Sequence, residues 1–214
     1  QSAELARLLR LTPWAREEFE LAYEPADDPI ERARRTIVRH QMGFGTSALV
    51  RGRTGFRATT WRNRNQDYSV DWSHYPDAIA SFCARLQGVT IECRPALELI
   101  RQQDSPDTLF YVDPPYPHST RSKVGGDGHN GYLHEMSDDD HRALAEVLRS
   151  VQGMVVLSGY PCALYDEELY PDWHRVGRSA LAQGRRGNEW RTEVLWLSPR
   201  TAAALTPTLF GVEG

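Results

Sequence analysis

The strongest constraint in this sequence is an apolar segment that has to stop at a defined residue. The β-favouring residues 109–112, "LFYV", run directly into the tetrapeptide "DPPY" at residues 113–116. Proline has no backbone N–H and cannot continue a sheet ladder, so the strand is predicted to end at Val112. A carboxylate, rigid carbonyls and an aromatic ring then gather where ligands bind in open α/β sheets. Asp and Pro also favour plain turns, which is the simpler interpretation.

The second part of the chain alternates between helical and β patterns. Helical spacing and β-favouring runs predict helices over residues 75–87, 95–103 and 137–151 and strands over residues 88–94, 108–112 and 153–160. Two further β-favouring runs, residues 173–179 and 191–198, predict an antiparallel hairpin. Strands that alternate with helices indicate an α/β fold with a Rossmann-like sheet.

Residues 1–74 lack this alternation and predict a separate helical and loop module. A first helix is broken at Thr12, which is predicted to cap a second helix that runs to about Tyr23. Asp28 and Pro29 predict the start of a third helix. A Gly-rich irregular segment follows. We therefore predict two domains, a module for target recognition over residues 1–74 and a catalytic part over residues 75–214.

Arginine is concentrated in one window of an otherwise acidic chain. The net charge is −4, yet residues 32–64 hold nine arginines and no acid. Arginines in the irregular segment are predicted to contact DNA phosphates: Arg51, Arg53, Arg57, Arg62 and Arg64. The helical arginines are expected to contact backbone or the acids of the first helix: Arg32, Arg34, Arg35 and Arg39. A solvated charged face is the alternative interpretation.

Several other classes of site and location are not indicated. The widely spaced cysteines 83, 93 and 162 include no C-x-x-C pair, which predicts free thiols in a reducing compartment. Cys83 and Cys93 are expected in the core. No apolar run approaches a membrane span and no signal peptide is visible, so we expect a cytoplasmic protein. No metal site is expected at the loop histidines His118, His129 and His134.

The residues of the tetrapeptide suit chemistry on an exocyclic amino group of a nucleobase. The lone pair of such a nitrogen is delocalised into the ring, which makes it a poor nucleophile. A carboxylate and a carbonyl that accept both N–H bonds would favour a tetrahedral nitrogen and stabilise positive charge as it develops. The tyrosine offers a face on which a base can stack, worth about 1–3 kcal/mol. A paired base would first have to be flipped out of the duplex.

This tetrapeptide after an apolar strand resembles the catalytic motif of amino-group methyltransferases. With a recognition module ahead of the motif, the chain resembles the Dam-type (D12 class) adenine-specific DNA methyltransferases. The segments "RTEVLW", "GMVVLSGY", "LTPWAREEFELAY" and "GFGT…TGFR" are similar to that family as well, and to a phage or prophage-like branch of it. Such a branch implies a bacterial or phage-infected cell, in a phage or restriction-modification context.

The resemblance implies a cofactor, a substrate and roles for individual residues. The cofactor would be S-adenosylmethionine and the substrate adenine in double-stranded DNA. Asp113 would contact both the methyl donor and the target amino group, and the carbonyl of Pro114, held rigid by Pro115, would accept the second N–H. Tyr116 would stack on the flipped adenine. Glu92, predicted at the end of the strand over residues 88–94, is expected beside Asp113 as a second cofactor contact.

One motif of the family is absent from this sequence. Its members normally open with an aromatic-x-Gly-Gly motif that holds the cofactor, and we expect the chain to lack about sixty residues that would carry it. A second chain could supply that motif instead. The alternative function is therefore a non-catalytic DNA-binding fragment or subunit that needs a partner to complete the cofactor site. Cytosine or RNA as substrate also stays open at this point.

Overall fold

The computed structural model describes residues 1–44, 53–58, 68–120, 134–184 and 187–205. These residues form two compact units, one that extends to Ile91 and one that begins at Glu92. The first unit is helical, and the second contains the sheet. The mixed α/β architecture agrees with the predicted fold class, and no described helix is both long and apolar enough to cross a membrane.

The first unit is built from amphipathic helices that bury one apolar face each. Its described helices are α1 (Ser2–Arg10), α2 (Arg16–Leu21), α3 (Pro29–Met42) and α4 (Tyr68–Arg85). α1 packs on α3 and α4, and α2 packs on α3. The core consists of Leu9, Phe19, Ala22, Val38, Met42, Trp72 and Ile79.

The start of α3 follows from local chemistry, whereas the start of α2 differs from the prediction. α3 begins as predicted, because the Asp28 side chain accepts a hydrogen bond from the Glu31 N–H at 2.8 Å and Pro29 takes the first helical position. The predicted start of α2 at Thr12 is wrong. The Thr12 hydroxyl donates to the Leu8 carbonyl at 2.8 Å, at the end of α1, and α2 begins at Arg16.

Helix α4 begins earlier than the sequence predicts. It runs from Tyr68 to Arg85, and Trp72 near its start is buried, with its indole N–H donating to the Thr12 carbonyl at 2.7 Å. A boundary after residue 74 would cut this helix, whereas the compact units divide after Ile91. The assignment of residues 1–74 to target recognition stays a prediction.

The apolar stripe of α4 ends at an exposed cysteine. The apolar stripe is buried as far as Ile79, and Cys83, which continues it, is exposed. Cys93 is exposed too. The prediction that both cysteines lie in the core is therefore wrong.

The second unit contains a mixed sheet with helices around it. Its described elements are α5 (Ala96–Gln102), β1 (Leu109–Val112), a 3-10 turn (His118–Thr120), α6 (Asp138–Ser150), β2 (Met154–Gly159), a π-helical turn (Leu164–Leu169), β3 (His174–Gly184), β4 (Gly187–Leu197) and α7 (Pro199–Leu205). The strand order is β1-β2-β4-β3. β1 and β2 are parallel, and β4 is antiparallel to both β2 and β3. The C-terminal hairpin is thus confirmed.

The strand predicted over residues 88–94 is not formed in the structure. Residues 89–93 make no sheet ladder, and Ile91 at its centre is 81% exposed. An apolar alternating run becomes a strand only where a neighbouring strand accepts its backbone hydrogen bonds. The prediction that Glu92 lies beside Asp113 depended on this strand, so the geometric argument for that prediction was wrong.

The core of the second unit lies between the sheet and helix α6. It contains Val155 and Leu157 of β2, Val194 and Trp196 of β4, and Leu144 and Leu148 of α6, together with the aromatic residues Tyr165, Tyr170 and Trp173. α6 begins in a capping box in which Ser137 and Asp140 bond each other's backbone N–H, as the sequence predicts for Ser137. This packing holds the carboxyl end of β2 in place.

Candidate active site

The carboxyl ends of two parallel strands meet at the predicted tetrapeptide. β1 ends at Val112, as predicted, and Val112 pairs with Leu157 of β2. The next residue along each strand is Asp113 on one side and Ser158 on the other. The Ser158 hydroxyl donates to the Asp113 Oδ1 atom at 2.8 Å and also lies 3.3 Å from the Val112 carbonyl oxygen. The parallel register thus brings a buried hydroxyl to the candidate catalytic carboxylate.

The segment that follows Asp113 is fixed by proline and by a short turn. Pro114 and Pro117 are buried, whereas Pro115 and Tyr116 are half-buried. Thr120 closes the turn, because its backbone N–H and its hydroxyl both donate to the Pro117 carbonyl, at 3.0 and 2.8 Å. Asp113 itself is exposed. The carboxylate therefore faces solvent from a backbone that has little freedom to move.

Two tyrosine rings lie together beside this carboxylate. Tyr116 packs against Tyr160 with ring centroids 4.8 Å apart and an interplanar angle of 77°, an edge-to-face arrangement. Tyr160 directly follows β2, so the two rings come from the ends of adjacent parallel strands. Gly159 lets the Trp196 ring lie close to the backbone at the end of β2, since a Cβ atom at this position would be 3.3 Å from that ring.

An aromatic cluster lies beneath the end of β2. Tyr165 packs edge-to-face on Trp196 at 5.1 Å, and its hydroxyl lies 2.9 Å from the His141 Nδ1 atom. Burial raises the pKa of the Tyr165 phenol, which therefore stays protonated at neutral pH. The Trp196 indole N–H donates to Asp166 at 3.1 Å. These contacts support the strand that carries Ser158 and is followed by Tyr160.

Sequence reasoning did not assign a role to Ser158 or Tyr160. The run "GMVVLSGY" resembles the family as a whole, and the resemblance gives no role to an individual residue in it. The signal that could have found Ser158 is its type, because a small polar residue at the end of an apolar parallel strand needs a partner. Choosing Asp113 as that partner requires the register between β1 and β2.

Glu92 is not brought to this site by any strand. It is the first residue of the second unit and is exposed, in the segment before α5 that forms no helix or strand. Its neighbour Arg94 donates to Gln102 at 2.8 Å. The role of Glu92 as a cofactor contact stays a prediction.

Two of the five arginines predicted to contact DNA are described by the structure, and both lie on aromatic rings. The Arg53 guanidinium stands 5.0 Å from the Tyr23 ring centroid and pairs with Glu24 at 3.3 Å. The Arg57 guanidinium stands 4.7 Å from the Tyr68 ring centroid. Arg51, Arg62 and Arg64 lie outside the described residues.

The helical arginines 34 and 35 have a structural role. Arg34 is buried and bonds Glu18 at 2.8 Å and Glu31 at 2.7 Å. Arg35 also bonds Glu31, at 2.7 Å, and donates to the Glu24 and Pro25 carbonyls. Contacts with acids and backbone were predicted, although these acids lie on α2 and α3, not on the first helix. Arg34, followed by Arg35, lowers the pKa of Glu31 to about 2.

The metal-ligating residue types do not cluster within the described ranges. No group of three or more His, Cys, Asp or Glu side chains there could hold a metal ion. His118 lies 3.9 Å from the Glu135 carboxylate, and His129 falls outside the description.

Comparison with known families gives one match that spans this site. A family model described as D12 class N6 adenine-specific DNA methyltransferase matches residues 16–175, about three quarters of the chain. The matched range contains the tetrapeptide, Ser158 and Tyr160. No curated protein matches the chain.

Proposed function

The chain belongs to the D12 class of N6 adenine-specific DNA methyltransferases, and from this premise we propose that it methylates adenine in duplex DNA itself. The methyl group would come from S-adenosylmethionine, the cofactor of this enzyme family. The observation that carries the proposal is the exposed Asp113 carboxylate at the end of β1, held by Ser158 at 2.8 Å and followed by two prolines.

The amino group of adenine needs hydrogen-bond acceptors to become a nucleophile. Asp113 accepts one N–H, and the Pro114 carbonyl accepts the other, which favours a tetrahedral nitrogen with its lone pair free. The negative carboxylate then stabilises the positive charge that grows on the nitrogen as the new bond forms. Because Asp113 is exposed, the surplus proton on the nitrogen can leave to solvent.

The same carboxylate fits the charge of the cofactor. S-adenosylmethionine carries an ammonium group and a sulfonium sulfur. When bound, it would supply the methyl group from that sulfur, and the sulfur would become part of a neutral thioether. An exposed carboxylate such as Asp113 is attractive to both cationic centres. It would thus orient the donor and the acceptor from one side chain.

Tyr116 provides the surface on which the flipped base lies. Its ring is half-buried and packs edge-to-face with Tyr160 at 4.8 Å, and an aromatic ring is a surface on which a base can stack. The base has to leave the duplex to reach it. The description of the family names adenine and DNA, and this favours both over cytosine and RNA.

Phosphate contacts of the DNA are assigned to the arginines of the first unit. Arg53 and Arg57 present guanidinium groups over Tyr23 and Tyr68, and the side chain of Arg53 is 61% exposed. Stacking of this kind orders a long side chain while its N–H donors remain accessible. Arg51, Arg62 and Arg64 belong to the same proposal on the basis of sequence alone.

The test is methyl transfer from labelled S-adenosylmethionine to duplex DNA. Asp113→Ala is expected to abolish transfer, whereas Asp107→Ala, which removes another exposed acid of the second unit, is expected to leave it unchanged. Transfer by Asp113→Ala at the wild-type rate would contradict the assigned role of the carboxylate. Absence of transfer by the wild type on mixed-sequence DNA would contradict the function.

A second candidate function is a DNA-binding subunit that needs a partner to complete its cofactor site. One observation favours it. β1 lies at the edge of the described sheet, and its Leu109 and Tyr111 side chains are 58% and 65% exposed, although parallel strands are usually covered. Calorimetry with S-adenosylmethionine separates the two functions, because the subunit alone is expected to show no measurable affinity.

A further inference from the structure

We infer that Ser158 is a positioning residue for Asp113, an inference that rests on the methyl transfer proposed above. Its hydroxyl donates to one carboxylate oxygen, Oδ1, at 2.8 Å. The hydroxyl thereby fixes the rotation of the carboxylate and leaves the second oxygen, Oδ2, to accept from the target amino group. The hydroxyl has no part in bond making or breaking.

The burial of Ser158 separates it from an ordinary surface serine. Ser158 is 7% exposed, whereas the Asp113 that it bonds is exposed. A buried hydroxyl stays where its strand puts it, and β2 is held on both sides, by β1 and by β4. The donor is therefore fixed before any substrate binds.

The Val112 carbonyl oxygen is a poorer hydrogen-bond acceptor for the Ser158 hydroxyl than the Asp113 carboxylate is. The Val112 carbonyl oxygen lies 3.3 Å from the Ser158 Oγ atom, at the long end for an O–H···O bond, against 2.8 Å for Asp113. A hydroxyl has one proton to donate. The shorter contact, to a charged acceptor, is the stronger one.

The need for such a donor follows from the exposure of Asp113. An exposed aspartate rotates about two side-chain bonds, and each rotamer points the carboxylate elsewhere. A bond to a fixed donor confines it to the orientation in which Oδ1 faces the Ser158 hydroxyl. Misplacement of a reacting group by about 1 Å can lower a rate about 100-fold.

The test compares three variants with the wild-type protein in steady-state methyl transfer. Ser158→Ala is expected to lower kcat about 10- to 100-fold, with little change in KM for DNA or cofactor, because binding is kept and orientation is lost. Ser158→Thr retains a hydroxyl at the same place and is expected to recover most of the loss. Thermal unfolding of each variant verifies that it is folded.

The matched control is Ser198→Ala, at the residue that directly follows β4. Ser198 is also buried, and its hydroxyl accepts from the N–H of Val155 in β2 at 3.2 Å, three residues before the serine that bonds Asp113. Its loss is expected to lower the melting temperature and to leave kcat unchanged. A purely structural role for Ser158 would give this same result.

The outcomes separate the inference from the function on which it rests. An active wild type with full kcat in Ser158→Ala overturns the inference alone. A loss that appears only in KM, or a folded Ser158→Thr without recovery, also overturns it. An inactive wild-type protein overturns the proposed function, and the inference fails with it.

Discussion

The two units of the molecule treat a charged side chain in opposite ways. In the first unit the Arg34 guanidinium is neutralised by the carboxylates of Glu18 and Glu31, at 2.8 and 2.7 Å. In the second unit the Asp113 carboxylate is held by a neutral hydroxyl, Ser158. An ion pair stabilises a fold because both charges are cancelled. A carboxylate that must stabilise positive charge on a substrate has to keep its own charge, and a neutral donor orients it without cancelling it.

The first prediction tests this contrast where the expected effect is largest. Asp113→Asn keeps the shape of the side chain and a carbonyl oxygen that can accept from Ser158, but it removes the negative charge. We expect kcat for methyl transfer to fall about 100- to 1,000-fold or more, as for loss of one preorganised electrostatic contact. Binding of duplex DNA, measured by fluorescence anisotropy, is expected to change little.

Asp107→Asn is the control, since it removes the same charge from an exposed turn of the second unit. If Asp113→Asn keeps most of the wild-type kcat, the charge is dispensable. The contrast between the two units then has no functional meaning.

The second prediction breaks the ion pairs of the first unit. Arg34→Met keeps the buried length of the side chain and leaves Glu18 and Glu31 without their shared partner. We expect the free energy of unfolding to fall by about 3 kcal/mol, because the partly buried Glu18 loses its counterion and Glu31 keeps only Arg35. Urea unfolding followed by circular dichroism measures it.

Arg32→Met on the same helix is the matched control, because Arg32 is exposed. It is expected to change stability by less than about 0.5 kcal/mol. Equal effects of the two substitutions would mean that the burial of Arg34 does not matter.

Features that depend on neighbouring residues can be predicted from this sequence, whereas features that depend on residues far apart in the chain cannot. The end of β1 at Val112 and the caps at Asp28 and Ser137 were predicted correctly, because each follows from residues within one turn. The strand over residues 88–94 was wrong, since local β preference does not supply a neighbouring strand. Ser158 lies 45 residues from Asp113, so only the register of β1 and β2 reveals their contact.

The third prediction concerns the arginines that are not used in buried ion pairs. Arg53→Gln and Arg57→Gln, made separately, are expected to weaken duplex binding and to reduce the slope of log affinity against log salt by about 1 each. The measurement is anisotropy of a labelled duplex over a series of salt concentrations. Arg7→Gln is the control, because Arg7 is an exposed arginine of α1 that pairs with Glu4. An unchanged slope in both variants would remove these residues from the DNA interface.

The fourth and smallest effect is a pH dependence that comes from the ion pairs of Glu31 in the first unit. The pKa of Glu31 is lowered to about 2 by Arg34 and Arg35, whereas it is about 4.5 in the unfolded chain. A group whose pKa is lower in the folded state stabilises the fold above its unfolded value, and this contribution disappears as the pH falls from about 4.5 toward 2. Thermal unfolding between pH 7 and pH 2 is therefore expected to show a loss of stability for the wild type that is smaller in Glu31→Gln.

Glu17→Gln, at an exposed position of α2, should follow the wild type. If Glu31→Gln loses as much stability as the wild type over this range, the pairs with Arg34 and Arg35 do not stabilise the unit. The charge of Glu31 would then not be held in a stabilising ion pair, and the contrast with the Asp113 carboxylate would fail.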